Sequence, residues 1–178
     1  FAFLERRSAT GTLVFHTSFE GQGVQFTGIA IDAHDNIVFV GYTTAFVDIF
    51  GLDITAQFAP ESGRVTGAFV AKVMPSFLRI LVLDLGIVEA NGVALDSSGQ
   101  VFIAGAVTVN TGFFRGPVIV KIDTMNKVST FDFGGNANGR VVAIAVDACG
   151  SVLAGLVQQQ SPSPTSPSSA ATCSRNAA

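Results

Sequence analysis

The strongest constraint on this chain is a pattern that it repeats. Residues 28–41 read GIAIDAHDNIVFVG and residues 92–105 read GVALDSSGQVFIAG, and the two align without a gap. A third copy, AIAVDACGSVLAG at residues 143–155, reads as one residue shorter near its end. Self-similarity of this kind outranks local propensity as a guide to fold, because each copy has to form the same supersecondary unit. Every copy is a short apolar strand, a turn opened by Asp32, Asp96 or Asp147, and a second apolar strand closed by glycine. An Asp in that place accepts hydrogen bonds from backbone N–H groups just ahead of it. Three residues further on stand Asp35, Gly99 and Gly150, residue types that tolerate the left-handed backbone of a tight loop.

More apolar strands follow each hairpin. AFVAKV at residues 68–73 and PVIVKI at 117–122 hold equivalent places, each followed by another strand, from about Arg79 to Leu85 and from about Val128 to Phe133. Ala2–Arg6 has the form of the third strand and Thr12–Thr17 that of the fourth, so the chain opens inside a repeat and is expected to be a piece of a longer or processed one. The turn aspartates recur after 64 and then 51 residues, most of the difference lying in the connection at residues 44–66 against 107–115. Four antiparallel strands in about 50 to 65 residues, repeated in tandem, point to an all-β chain of β-propeller blades. Uninterrupted Val, Ile, Leu and Phe runs fit sheets covered on both faces better than strict alternation would. No stretch reads as a long amphipathic helix.

The expected organisation is a propeller segment over 1–157, followed by a tail over 158–178. The segment divides into the second half of a blade at 1–22, whole blades at 23–87 and 88–135, and the first half of a blade at 136–157. That makes about three blade equivalents, whereas closed propellers generally have four or more. The ring is therefore incomplete. The chain is expected to belong to a larger propeller, to close a ring of about six blades with a second copy, or to co-fold with a partner's repeats.

The pattern GIAIDAHDNIVFVGYTT…GAFVAKV…LRILVLDLG, with its weaker echo GVALDSSGQVFIAGA…GPVIVKID…STFDFGG, resembles the β-propeller repeats known as SBBP repeats. The opening AFLERRSATGTLVFHTSFEG looks like the second half of the same repeat, so the resemblance covers roughly residues 1 to 156. It departs from the family in the short second blade, in Asp35 where Gly is usual, and in the short third hairpin. The resemblance implies large surface or secreted proteins and no shared catalytic set.

Composition narrows the function. Charged residues make up 13% of the 178, with 10 basic against 13 acidic and a formal net charge of −3, so there is no basic face for nucleic acid. Asp84 and Lys72 interrupt the best apolar runs, and no membrane span is expected. There is no Gly-x-Ser-x-Gly elbow, no Gly-Lys-Ser or Gly-Lys-Thr phosphate loop and no His-Glu-x-x-His, and His16 and His34 stand in no ligand or base spacing. No catalytic residue, cofactor or metal site is assigned, and the chain is not expected to be an enzyme. Asp32, Asp96 and Asp147 can be imagined as a rim for a cation, but capping their own turns is the preferred reading. Arg6, Lys72 and Lys121 hold one equivalent position, with basic heads expected in water over apolar stems.

Three features suggest setting and partners. The connection at 44–66 is unusually apolar, and Phe46, Ile49, Phe50, Leu52 and Phe58 are candidate contacts to a neighbouring subunit or domain. Cys149 and Cys173 are the only cysteines, and an oxidising compartment would allow them to pair. Beyond Val157 the composition changes abruptly, and Ser161, Pro162, Ser163, Pro164, Thr165, Ser166 and Pro167 form a tract with almost nothing to bury. Such alternation favours an extended chain and, in a secreted protein, suits O-linked sugars. The tract resembles the hydroxyproline-rich linkers of extracellular plant and green-algal glycoproteins, including those of walls and flagellar surface filaments.

The expected function is a non-catalytic extracellular or cell-surface structural protein. It would assemble through propeller repeats with other subunits or with further repeats of the same chain, in a filament or wall. The alternative is a propeller module that binds glycan or peptide.

Overall fold

The computed structural model describes residues 2–19, 23–43, 47–49, 52–54, 57–59, 64–76, 79–85, 87, 89–109, 114–133 and 139–158. Among these residues every regular element is a β-strand. β1 (Ala2–Arg7) and β2 (Leu13–Phe19) form a hairpin, followed by β3 (Val24–Ile31) and β4 (Ile37–Thr43). Three short strands come next, β5 (Val47–Ile49), β6 (Leu52–Ile54) and β7 (Gln57–Ala59), and then β8 (Arg64–Val73) and β9 (Arg79–Asp84). β10 (Glu89–Leu95), β11 (Val101–Val109), β12 (Phe114–Ile122) and β13 (Val128–Asp132) make a second meander, and β14 (Gly139–Val146) with β15 (Val152–Gln158) makes a last hairpin. All pairings are antiparallel, in the orders β3-β4-β8-β9 and β10-β11-β12-β13, with β7 added along the start of β8.

The connection at 44–66 is not simply a loop. β5 and β6 pair with each other, and β7 pairs with the first residues of β8, so the insertion carries its own small pieces of sheet. Its alternation of apolar and polar residues is the strand period, spread over segments too short to stand out in the sequence.

The four layers lie face to face. One apolar cluster joins Ala2, Leu4 and Phe19 of the first hairpin to Val24, Phe39, Phe69 and Ala71 of the first meander. A second joins Val38, Val40 and Val70 of that meander to Ala90, Ile103, Val118 and Val120 of the next. A third joins Phe102, Ala104 and Ile119 to Val141 of the last hairpin. The inner strands β4 and β11 are thus covered on both faces, which is why their runs are apolar at consecutive positions. Phe26 stands edge-on to Phe19, Phe39 and Phe69 with ring centroids 5.1, 5.2 and 6.0 Å away, a geometry aromatic rings favour.

The three hairpins share one irregularity. In each, the first strand carries an extra residue, at Thr27, Asn91 and Val142, where the register shifts. Aligned on this bulge the third copy has no gap: Val146 pairs with Val152 as Ile31 pairs with Ile37, and Val141 pairs with Leu156 as Phe26 pairs with Gly41. The expected missing residue is therefore corrected. Gly155 stands at the place of Val40 and Ala104, and it is the closing glycine that has moved by one position.

Candidate functional site

The turn aspartates act locally. Oδ1 of Asp32 accepts the N–H groups of His34 (2.8 Å) and Asn36 (2.9 Å). Asp96 accepts those of Ser98 and Gln100, and Asp147 those of Cys149 and Ser151. Asp35 (φ 60°), Gly99 (φ 84°) and Gly150 (φ 81°) occupy the left-handed position of their turns, each bonded back to the carbonyl of the turn Asp. A fourth turn of the same build lies at Asp123, with Asn126 at φ 64°, between β12 and β13. The sequence offered a signal for it, Asp123 with Asn three residues later, although it lies outside the repeated hairpin.

Asp32 differs from the others in having a charged partner. Lys72 Nζ lies 2.8 Å from Oδ2, with side-chain exposures of 20% for Lys72 and 3% for Asp32, and Asn36 Nδ2 donates to the same oxygen at 2.9 Å. Burial by itself raises the carboxyl pKa, but Lys72, Asn36 and the two backbone donors outweigh it and hold Asp32 well below the usual carboxylate range. Lys72 therefore departs from the expected basic head in water. Lys121, its equivalent, sits 5.5 Å above the Phe102 ring, and Arg6 is exposed. In Asp96 burial also acts upward and the Ser98 and Gln100 donors prevail, so its carboxyl is lowered. Asp147 is lowered chiefly by the Ser151 N–H. These oxygens are engaged in their own turns, and among the described residues no group of three or more His, Cys, Asp or Glu converges.

A repeated polar link joins the layers. Thr27 Oγ1 donates to the Ala90 carbonyl at 2.6 Å, and Asn91 Nδ2 donates to the Val141 carbonyl at 2.9 Å. Donor and acceptor hold the same two places in successive hairpins: the bulge residue of one reaches the residue before the bulge of the next. Gly28 permits the close approach, since a Cβ there would lie 3.0 Å from the Gly92 Cα and from the Val93 nitrogen. Arg140 and Glu89 add an ion pair at 3.8 Å between the last two layers. Sequence reading missed Thr27 and Asn91, although each is a polar residue directly before an aligned glycine in an apolar run.

The two end layers carry the surfaces most open to partners. Leu153 is 61% exposed, whereas Val38 and Phe102, at its place in the earlier copies, are 0% and 6% exposed. Phe3 is 59% exposed, against 0% for Phe69 and 2% for Val118 at its place. Beside Phe3 a cleft of about 420 Å³ opens between β1 and β3, lined by Leu4, Phe26, Thr27, Ile29 and Phe39.

Of the candidate contacts in the 44–66 connection, Phe46 and Phe50 lie outside the described residues, while Ile49, Leu52 and Phe58 fall in β5, β6 and β7. Cys149 sits in the exposed third turn and is not a free thiol; Cys173 lies outside the described residues, as do Ser161, Pro162, Ser163, Pro164, Thr165, Ser166 and Pro167. Among the described residues no helix is long and apolar enough to cross a membrane. No protein-family model matches the chain, and no curated protein is significantly similar to it.

Proposed function

We propose that the chain is a non-catalytic structural module whose stacked sheets are blades of a larger β-propeller of the SBBP-repeat kind. It serves in an extracellular or cell-surface assembly such as a filament or wall. The two four-stranded meanders with equivalent registers support the blade reading. One observation carries the assembly reading: positions buried between layers in the middle of the stack, Val38, Phe102, Phe69 and Val118, are matched at its ends by exposed Leu153 and Phe3. Apolar surface repeated in place and left open is surface made to be covered. The tail at 158–178, with Ser161–Pro167, then serves as an extended connector that carries O-linked sugars. Cys149 and Cys173 would pair in an oxidising compartment, tying the tail back to the third turn.

The test is the size of the protein isolated from its own source under native conditions. The reading requires a complex several times the 18.4 kDa of this chain, with sheet against both end layers. A discrete particle in which Phe3 and Leu153 are solvated would refute it.

A further inference from the structure

We propose that Asn91–Gly92 is a site of spontaneous deamidation, held in check by the bond that Asn91 makes across the layers, and that its conversion unfastens the β14–β15 hairpin from the second meander. The same interlayer link is built twice from different chemistry. Thr27 Oγ1 and Asn91 Nδ2 hold one equivalent place in successive hairpins and reach the carbonyls of Ala90 and Val141. A hydroxyl at that place has no reaction of this kind open to it. A carboxamide followed by glycine does, because asparagine is among the thermally labile residues and glycine puts no side chain in the way of its own nitrogen. The reaction needs only water. The Gly92 nitrogen attacks the Asn91 Cγ, the new C–N bond closes a succinimide ring, and Nδ2 leaves as ammonia with the proton from the Gly92 nitrogen. Water then opens either carbonyl of the ring, its hydroxyl going to the carbonyl carbon and its other hydrogen to the nitrogen. The product is aspartate, or isoaspartate with one more carbon in the main chain.

The folded structure opposes this reaction at one point. The 2.9 Å bond from Nδ2 to the Val141 carbonyl fixes the carboxamide, and Val141 is itself buried beside Phe102, Ala104 and Ile119. The rest of the surroundings leave room. Asn91 is the extra residue of its bulge, passed over in the register Ala90↔Gly105 and Gly92↔Ala104, and it is half-buried. A Cβ added at Gly92 would meet nothing closer than the Ile144 Cγ2 at 3.8 Å. The side chain is therefore restrained by the neighbouring layer, and the rate of conversion follows how often β14 lets go. The product cannot restore the link. A carboxylate only accepts hydrogen bonds, so it meets the Val141 carbonyl acceptor to acceptor. It also adds negative charge close in sequence to Glu89, whose 3.8 Å ion pair with Arg140 is the other polar tie between these layers. Isoaspartate lengthens the strand at the bulge that sets its register. Opening at Asn91 thus leads to a change that opposes closing, whereas the same opening at Thr27 is reversible. The link lies inside one chain, so the inference stands apart from the assembly reading above.

The experiment incubates the purified 178-residue chain at neutral pH, folded and in urea, and follows it by tryptic peptide mapping. Residues 80–115 carry Asn91 and residues 128–140 carry the other Asn-Gly pair, Asn138–Gly139, so the two are read separately. The expected result is conversion of amide to acid at Asn91, with isoaspartate among the products, slower by about tenfold or more in the folded chain than in urea. Ile144→Ala, in a residue of β14 packed against the same cluster, speeds the folded-state conversion, and Val146→Ala replaces it should the first variant not fold. Asn91→Thr, which borrows the donor of Thr27, shows no conversion at that position and keeps β14 protected. Asn91→Asp accelerates hydrogen exchange along β14 by about tenfold while leaving β3 and β4 unchanged. If Asn91→Asp does not fold, the converted fraction of the aged parent chain, separated by anion exchange, carries the same measurement. Absence of conversion in urea, equal rates in the folded and unfolded chain, no acceleration in the β14 variant, or unchanged β14 exchange after conversion overturns the inference.

Discussion

Replacing Asp32 by Ala tests the energetics where the structure concentrates them. The substitution removes four acceptor contacts at 2.8 to 2.9 Å, two to backbone N–H groups, one to Asn36 and one to the Lys72 ammonium. Breaking a fully buried ion pair by deleting one partner costs about 3–5 kcal/mol, and a hydrogen bond to a charged group contributes about 1.5–3 kcal/mol. Lys72 keeps 20% of its side chain in solvent, which lets its charge hydrate after the loss, so the lower part of that range applies. The expected destabilisation is about 3 kcal/mol. With a urea slope of about 2 kcal/mol/M, this moves the unfolding midpoint down by about 1.5 M. The assay is equilibrium urea unfolding followed by far-ultraviolet circular dichroism, with Lys72→Met and the double variant completing a cycle. Asp147→Ala, at an exposed turn of the same build, is the internal reference and loses much less. A loss below about 1 kcal/mol for Asp32→Ala, or a loss no larger than that of Asp147→Ala, refutes the argument.

Stability should also depend on pH in one direction. Asp32, Asp96 and Asp147 all have lowered folded-state pKa values, so their contribution is complete above the unfolded value of about 4 and fades as pH falls below it. Urea midpoints measured from neutral pH to pH 2 check this, and Asp32→Asn should flatten the acid limb. Gly28→Ala places a methyl group 3.0 Å from the backbone of the neighbouring layer and should cost about 1–3 kcal/mol, read as a lower melting temperature with the hairpin turn unaffected. Thr27→Val keeps the shape and deletes the donor to the Ala90 carbonyl, for a loss of about 1–2 kcal/mol, with hydrogen exchange accelerated along β3 and β10.

Much of this architecture was legible in the residues. The turns were readable because a left-handed position restricts residue type so sharply that Asp35, Gly99 and Gly150 announce themselves. The all-β character followed from apolar runs too long for alternation and too broken for helices. The register of the third hairpin was not legible, because Gly155 invited alignment with Gly41 and Gly105 while the backbone counts from the bulge. Strands of three residues, such as those at 47–49 and 52–54, leave too short a pattern to separate from a loop. The Lys72–Asp32 pair joins residues 40 apart whose counterparts in the second repeat, Lys121 and Asp96, do not pair, and only the three-dimensional register places them together. Of the surfaces proposed for assembly, the sequence indicated an incomplete repeat at each end. Which side chains the ends expose depends on which face each strand turns outward.

The most direct measurement of the central claim is an electron cryo-microscopy map of the assembled protein isolated from its source. The account predicts sheet density about 10 Å beyond both end layers, covering Phe3 on one side and Leu153 on the other. Density that stops at those side chains, leaving both end faces in solvent, would contradict it.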